Sequence, residues 1–399
     1  MNKRSFETLC VKEAKDTSTT KPHNLPIYST ASFVFENIEQ GINIFDGTEK
    51  GHLYARYGNP TVEAVANKIA SLEGYDLDIE PFGIMTSSGM ASVTTLIMGI
   101  LKSGDAILTQ GNLYGGTTQL VKDVFSKFGI TTIFVNLRDP NQLKKALDDY
   151  PEIKAIYFET PSNPALDCVD MEVLSTFAKS HMLYTIIDNT FSTPLLQQPF
   201  KYGIDFIVHS TTKYLNGHGN SISGIVLGRD KKHYPLIWDA MKYIGANLSP
   251  WEAWLVNNGL KTLALRMKKH SENAMALANM LVKHPQVEKV NYLGLKGHPD
   301  HELAKKQMSN YGGMLTFEVK GGMEAGKKLM NSVSMATMAP TLGDVDTLIM
   351  HPASMSHRSV PKEMRIENGI NDGMIRVSVG IEGTEDLIDD FESALDSLL

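Results

Sequence analysis

The chain has 399 residues, of which 42% are hydrophobic and 21% charged, and its formal net charge is −7. This composition is typical of a globular protein large enough for two hydrophobic cores, and acids and bases mixed without a basic stripe argue against nucleic acid as the main partner. The two cysteines, Cys10 and Cys168, are too few for a disulfide framework or a cysteine-based metal cluster.

The first fifteen residues contain no apolar run of signal-peptide length. The longest apolar stretch, residues 90–101, is too short to span a bilayer. We therefore expect a cytoplasmic protein that works without a membrane.

Residues 1–60 show little periodicity, and LPIYSTASFVF (residues 25–35) is their only strand-like run. An extended segment of this kind is suited to packing against another copy of the chain. We expect residues 1–60 to form an N-terminal arm that contacts a neighbouring subunit.

Between residues 80 and 230 the chain alternates short apolar runs with segments of helical spacing. The runs that predict strands are GDAILTQG, TTIFVNL, IKAIYFETPSNP, MLYTIIDNTFSTP, GIDFIVHSTTK and SISGIVLG. Such alternation predicts an α/β fold with a mostly parallel sheet and helices on both faces. We expect residues 61–255 to form this larger domain.

A long helical region is predicted from about Pro250 to Lys283. Two strand-like runs, GGMLTFEV and MIRVSVG, then alternate with helical patterns up to the C-terminus. We expect residues 256–399 to form a smaller C-terminal α+β domain.

Polar residues cluster at the ends of three predicted strands, at residues 159–163, 188–190 and 210–213. Open α/β sheets bind ligands beyond the carboxyl ends of their strands, so these clusters predict one shared site. The last of them contains Lys213 among hydroxyl residues. A buried ammonium is unfavourable there unless its amine is used chemically, and the alternative is a lysine that reaches the surface.

Pyridoxal 5'-phosphate (PLP) would use such a lysine as the nucleophile toward its aldehyde. The cofactor also requires a carboxylate opposite its ring nitrogen, for which Asp188 is the candidate. Ser210, Thr212 and the backbone of SSGMAS (residues 87–92) could bind the phosphate, and Tyr114 could cover the ring. Each signal is weak alone, but their combination in this order favours a PLP site.

The sequence resembles the cystathionine γ-synthase/γ-lyase-like family of PLP enzymes, which act on sulfur amino acids, and within it most closely the methionine γ-lyase branch. The resemblance covers nearly the whole chain. It is carried by YARYGNPT (54–61), SSGMAS, LYGGT (113–117), ETPSNP (159–164), DNTFSTP (188–194), HSTTKYLNGHG (209–219), TLGDVDTLIMHPASMSH (341–357) and IRVSVGIE (375–382). It implies an aspartate-aminotransferase-like (fold type I) large domain.

The resemblance also implies roles for individual residues. Lys213 would carry the cofactor and move protons, Asp188 would pair with the ring nitrogen, and Tyr114 would act at the leaving group. Further cofactor contacts would come from Ser88, Gly89, Met90, Ser210 and Thr212, with Tyr54 and Arg56 reaching the phosphate of a neighbouring subunit. The substrate contacts would be Arg376, Asn163, Thr341 and Leu342. The implied assembly is a homodimer with shared active sites, usually paired into a homotetramer, and no metal is expected.

Two positions bear on the substrate. Family members that handle cystathionine carry acidic residues where this chain has Leu53 and Pro340, and an apolar pocket suits a small thioether better than a distal ammonium. We therefore expect γ-elimination of methionine or a related thioether. Gly116 and Tyr243 depart from the methionine γ-lyase pattern. O-acetylhomoserine sulfhydrylation and cystathionine γ-lyase or γ-synthase activity therefore stay open, as does a cofactor-binding sensor without turnover.

Overall fold

The structure is a computed structural model that describes residues 4–12, 22–356, 358, 362–367 and 369–399, except the side chains of residues 364 and 367. Parts of the predicted arm, residues 1–3 and 13–21, lie outside this range, as does His357 at the end of the TLGDVDTLIMHPASMSH motif. Among the helices of the described residues, none is both long enough and apolar enough to cross a membrane.

A seven-stranded sheet forms the centre of the larger domain, as the alternating pattern predicted. Its strands are β1 (Phe82–Thr86), β2 (Ala106–Thr109), β3 (Thr131–Phe134), β4 (Ile153–Glu159), β5 (Tyr184–Asp188), β6 (Phe206–His209) and β7 (Gly224–Gly228). Their spatial order is β1-β7-β6-β5-β4-β2-β3. The four pairs from β6 to β3 are parallel, whereas β7 runs antiparallel to both of its neighbours. The mostly parallel sheet is thus confirmed.

Both faces of this sheet are buried. Along β4, Ile156 and Phe158 pack into one hydrophobic cluster, while Ala155 and Tyr157 pack into a second cluster on the opposite face. Near-continuous apolar strands are the pattern expected when helices cover a parallel sheet on both sides. The strand interiors therefore form the core, and their polar ends are left free for a ligand.

Fifteen α-helices occur in the described residues. They are α1 (Phe6–Lys12), α2 (Ile38–Phe45), α3 (Pro60–Glu73), α4 (Gly89–Ile100), α5 (Gly115–Gln119), α6 (Pro140–Asp149), α7 (Met171–Ser180), α8 (Thr193–Leu196), α9 (Tyr234–Ile244), α10 (Pro250–Leu260), α11 (Leu263–Leu281), α12 (His301–Gln307), α13 (Gly322–Ser332), α14 (Lys362–Glu367) and α15 (Thr384–Asp396). The predicted helical region after Pro250 consists of two helices, α10 and α11.

A second sheet follows these helices in the C-terminal part of the chain. Its strands are β8 (Val287–Asn291), β9 (Met314–Val319), β10 (Thr337–Met338), β11 (Leu348–Met350) and β12 (Met374–Ser378), in the order β10-β11-β12-β9-β8. A third hydrophobic cluster joins this sheet to α11, α13 and α15. The chain therefore has, besides the larger α/β unit, the second and smaller unit of sheet and helices that the sequence predicted.

The strand-like run LPIYSTASFVF is the part of the prediction that is wrong. It forms no strand, and its only ladder contact is an isolated bridge between Ser32 and Tyr54. Leu25 packs into the core, but Pro26 has no N–H to donate and Val34 is 97% exposed, so the rest of the run has neither a continuous partner strand nor a core to face.

Candidate active site

A cavity of about 300 Å³ opens at the carboxyl ends of β4, β5 and β6, where the clustered polar residues predicted a site. It is closed on one side by residues of the C-terminal unit. Of the fourteen residues predicted to bind the cofactor or the substrate, all except Tyr54 and Arg56 line it: Ser88, Gly89, Met90, Tyr114, Asn163, Asp188, Ser210, Thr212, Lys213, Thr341, Leu342 and Arg376. The tertiary structure thus brings seven separate sequence segments to one place.

Lys213 is partly buried in the loop after β6, so the alternative of a surface lysine is wrong. Its Nζ donates a hydrogen bond of 2.7 Å to the Thr341 hydroxyl. Burial, and then the positive charge of Arg376, lower the pKa of Lys213 below its ordinary value of 10.5. This lower pKa increases the fraction of Lys213 that is a neutral amine, which is the nucleophilic form.

The loop that carries Lys213 is held tightly from two directions. The Thr211 hydroxyl bonds the Ser223 hydroxyl at 2.6 Å, and the Thr212 hydroxyl donates to the Ser223 carbonyl at 3.1 Å. On the other side lies Gly343, which has φ of +83°. A Cβ at Gly343 would lie 2.6 Å from the backbone nitrogen of the residue after Lys213, so only glycine permits this approach.

Asp188 ends β5 beside Glu159, the last residue of β4, with which it is paired in register. Its Oδ1 accepts the backbone N–H of Thr190 at 3.0 Å, and the Thr190 hydroxyl accepts the backbone N–H of Ser210 at 2.9 Å. Burial raises the pKa of Asp188 above its ordinary value of 3.8. A cation placed opposite this carboxylate, such as a protonated ring nitrogen, would offset that unfavourable burial.

A fully buried polar cluster beneath the site holds the ends of β5 and β6 together. Glu73, the last residue of α3, accepts from Asn189 Nδ2 at 2.9 Å and contacts His209 Nε2 at 2.6 Å. Asn189 follows Asp188 directly, and His209 ends the strand that leads to Lys213. Glu73 lies far from these motifs in the sequence, and no signal there pointed to it.

The residues predicted to bind phosphate surround the first turn of α4. Ser88 caps this helix by accepting the Ala91 N–H at 3.0 Å, so the free N–H groups of the turn face the cavity rim. A Cβ at Gly89 would lie 2.7 Å from Ser210 Cβ, so helix and loop meet only because position 89 is glycine. These N–H groups and hydroxyls form a cradle that fits a phosphate.

Gly89→Ala should therefore weaken cofactor binding. Because the added methyl must push Ser210 away from α4, we expect the dissociation constant for PLP to rise about tenfold or more, as is usual when a packed site is overfilled. Titration of the apoprotein with PLP measures this. Gly115→Ala is the matched control, because no atom lies within 4 Å of its added Cβ. Equal affinities for the two variants would contradict the prediction.

Tyr114 immediately precedes α5, and its side chain is half-exposed at the cavity. Its backbone N–H donates to Glu159 Oε1 at 2.7 Å. A Cβ at Gly116 would lie 2.6 Å from Tyr114 Cε1 and 3.2 Å from Met90 Sδ. The glycine that departs from the methionine γ-lyase pattern therefore lets the Tyr114 ring lie over position 116.

Arg376 lies in β12 and is almost fully buried, which excludes the alternative role of an arginine in a surface ion pair. Its Nη2 donates to the Thr341 carbonyl at 2.8 Å, and its Nη1 lies 3.5 Å from Asn163 Oδ1. Burial lowers the pKa of Arg376 to about 10, so it remains charged at neutral pH. Within the part of the chain that the structure describes, it has no carboxylate partner and its Nε has no acceptor. A carboxylate ligand would supply both.

Tyr54 and Arg56 lie elsewhere on the chain. The Arg56 guanidinium donates to the Lys242 carbonyl and lies 4.8 Å from the Tyr57 ring centroid. Neither residue lines the cavity of its own chain. Their predicted contact with the phosphate of a neighbouring subunit stays a prediction.

The cavity also contains Pro340, one of the two positions predicted to bear on the substrate. Residues that sequence reasoning did not select are Val93, Thr117, Glu159, Pro161, Thr190, Phe191 and Ile222. Two of these, Glu159 and Thr190, belong to polar clusters at strand ends, which was the available signal. The apolar ones had none. A larger cavity of about 700 Å³ is lined by Asn112, Arg138 and Asp167, among others, and it contains none of the predicted site residues.

The fold and the site together define a PLP-dependent enzyme of fold type I. The sequence profile described as Cys/Met metabolism PLP-dependent enzyme matches residues 7–396 of the chain. The chain belongs to this family, whose cofactor fits the lysine, the aspartate and the phosphate cradle described above.

Individual relatives agree with this assignment. The L-methionine γ-lyase of Fusobacterium nucleatum subsp. nucleatum is 44% identical over 376 residues, covering 94% of this chain and 93% of that protein. A cystathionine β-lyase of Lactococcus lactis subsp. cremoris is 44% identical over 378 residues and covers 95% of each chain. The crystal structure of cystathionine γ-synthase from Xanthomonas oryzae pv. oryzae superposes with a TM-score of 0.91 at 34% identity, covering 98% of both chains.

Proposed function

We propose that this enzyme catalyses γ-elimination from L-methionine or a related thioether, with water, to give a thiol, 2-oxobutyrate and ammonia. The supporting observation is the lining of the cavity beyond the residues assigned to the cofactor and to the substrate carboxylate. That remainder is mostly apolar: Val93, Pro161, Phe191, Ile222 and Pro340. The two carboxylates among the lining residues are Asp188 and Glu159, and Glu159 already accepts a backbone N–H. A distal ammonium would have no uncommitted partner there.

In this proposal each polar residue has one task. Bound PLP supplies an electron sink that makes the substrate Cα–H bond acidic. Lys213 Nζ removes and returns protons at Cα and Cβ, and the Tyr114 hydroxyl donates a proton to the departing sulfur. The Arg376 guanidinium binds the substrate carboxylate as a fork, with Asn163 and the backbone of Thr341 and Leu342 beside it.

The residues of the cradle at the start of α4, together with Asp188, would make the remaining contacts with the cofactor. Ser88, Gly89, Met90, Ser210 and Thr212 would hold the phosphate, and Asp188 would stand opposite the ring nitrogen. The position of Tyr54 and Arg56 outside their own cavity supports their use by a neighbouring subunit.

We also propose the assembly that such sharing requires, a cytoplasmic homodimer paired into a homotetramer. Residues 1–60 would be the arm that contacts the neighbour, ahead of a cofactor domain at 61–255 and a C-terminal domain at 256–399. In support, α2 exposes Ile38, Ile42 and Phe45 on the single chain, an apolar face that a second subunit could cover.

Cystathionine cleavage is the second candidate, because the Lactococcus lactis cystathionine β-lyase is as similar to this chain as the Fusobacterium nucleatum methionine γ-lyase. A carbon–sulfur bond one atom closer to Cα breaks in that reaction, so the keto acid formed is pyruvate. The two candidates are therefore separated by their products.

Three parallel assays with purified protein and PLP test the proposal. We expect L-methionine alone to give 2-oxobutyrate and methanethiol in equal amounts. O-acetyl-L-homoserine with sulfide is the second assay, and L-cystathionine the third. Inert methionine together with homocysteine from the second assay would identify a sulfhydrylase instead. Inert methionine together with pyruvate from cystathionine would identify a cystathionine β-lyase.

A further inference from the structure

Glu159 is a buried carboxyl at the centre of the site that the reaction described above does not use. It ends β4 beside Asp188, with which it is paired in register, and only 5% of its surface is exposed. In the described part of the chain no lysine, arginine or histidine forms an ion pair with it. A carboxyl buried without a cation needs another reason to be there.

Its short contact is with the residue placed at the leaving group. Glu159 Oε1 accepts the backbone N–H of Tyr114 at 2.7 Å. Tyr114 has no side-chain cap at the start of α5 and is followed by two glycines, so the chain on its C-terminal side restrains it little. The preceding turn is tied to the same β4 loop, since Asn112 Nδ2 donates to Ser162 and to Asp167.

We propose that Glu159 is a positioning residue, which fixes the Tyr114 phenol over the cavity by accepting the Tyr114 N–H. The inference rests on the proposed role of Tyr114 in γ-elimination. It assigns Glu159 no contact with the substrate. The link runs from the rigid end of β4, through one carboxyl oxygen, to the backbone of a turn rich in glycine.

The protonation state of Glu159 sharpens the choice of variants. Burial and the adjacent Asp188 charge raise the pKa of Glu159 well above its ordinary value of 4.5, which increases the fraction of the neutral carboxyl. A neutral carboxyl and a carboxamide both offer one carbonyl oxygen to a donor. Glu159→Gln should therefore keep the link to Tyr114, whereas Glu159→Ala and Glu159→Met should lose it.

The first measurement is amide hydrogen exchange in the holoenzyme without substrate. We expect the Tyr114 amide of Glu159→Ala and Glu159→Met to exchange about tenfold or more faster than in the wild type, the loss typical for one hydrogen bond. Glu159→Gln should retain wild-type protection. The Glu159→Met variant keeps a side chain of about the same length as glutamate but removes the acceptor. If both variants exchange faster, the cavity that alanine leaves cannot be the cause.

The second measurement is a double-mutant cycle with Tyr114→Phe. We expect Glu159→Ala to lower kcat for elimination about 10- to 100-fold, with little further loss when Tyr114→Phe is added. Exchange of the substrate α-proton with D₂O should persist, because Lys213 is untouched.

Three results would overturn the inference: unchanged Tyr114 exchange in both apolar variants, losses in the cycle that simply add, or Glu159→Gln as impaired as Glu159→Ala. The exchange experiment needs no substrate, so it stands even if methionine proves not to be the substrate. Failure of the proposed function would instead show as an inert wild-type enzyme whose Tyr114 amide is still protected by Glu159.

Discussion

Lys213→Ala should reduce elimination by at least about 10³-fold, because in the proposed mechanism this one side chain is both the covalent attachment point and the proton carrier. Its partly buried Nζ lies 2.7 Å from the Thr341 hydroxyl, inside the cavity that holds the other proposed catalytic groups. The variant should also lose the visible absorbance of covalently attached PLP. Both effects are measured on purified protein by product formation and by an absorption spectrum.

The fold should survive this change. Removing a partly buried ammonium, whose charge is already disfavoured beside Arg376, takes away an unfavourable interaction rather than a stabilising one. We therefore expect the circular dichroism and the thermal midpoint of the Lys213→Ala apoprotein to stay at or above those of the wild-type apoprotein. Lys231→Ala, which removes an exposed lysine from a surface ion pair, is the matched control and should keep full activity. Near wild-type elimination by Lys213→Ala would refute its assignment.

Arg376→Leu should lower kcat/KM for methionine about 10²- to 10³-fold, equivalent to about 3–4 kcal/mol. The arginine is buried in β12 with its Nε unpartnered among the described residues, and a substrate carboxylate would supply the acceptor that it lacks. Arg376→Lys should recover only part of the loss, because a lysine cannot present two parallel donors. Steady-state kinetics on all three proteins measure the effect.

Two further measurements distinguish substrate binding from general damage. PLP affinity should change little in Arg376→Leu, since the phosphate cradle at α4 is formed by other residues. Arg138→Leu, which removes an arginine that pairs with Asp300 outside this cavity, should leave methionine kinetics unchanged. Loss of cofactor binding in Arg376→Leu, or equal losses in both variants, would show that Arg376 acts structurally.

The effect of Arg376 on Lys213 also predicts how PLP uptake depends on pH. The positive charge of Arg376 adds to burial in lowering the Lys213 pKa, so Arg376→Leu should move that pKa upward toward 10.5. The neutral amine that captures PLP would then appear only at higher pH. We expect the rate at which apoprotein takes up PLP to rise with pH in both proteins, with its midpoint at a higher pH in the variant. A midpoint at the same or a lower pH would contradict this coupling.

The polar clusters at the strand ends could be predicted to lie together, because the sequence pattern of each strand predicts where that strand ends. Alternating apolar runs and helical segments predict a parallel sheet, and parallel strands present their carboxyl ends at one edge. Asp188 and Lys213 could be placed without further information, since Asp188 ends β5 and Lys213 lies in the loop that follows β6. The same rules failed at LPIYSTASFVF, where the apolar alternation has no continuous partner strand and only Leu25 is buried in the core.

The amino-acid sequence alone was therefore enough for the α/β class, for the family, and for the prediction that Lys213 and Asp188 meet at one cavity. Only the tertiary structure showed that Glu73 ties β5 to β6, that Glu159 holds the Tyr114 backbone, and that Arg376 is buried without a carboxylate. These contacts join residues tens to hundreds of positions apart. A residue pattern reports what its neighbours in sequence favour, whereas such pairings depend on the packing of whole elements against one another.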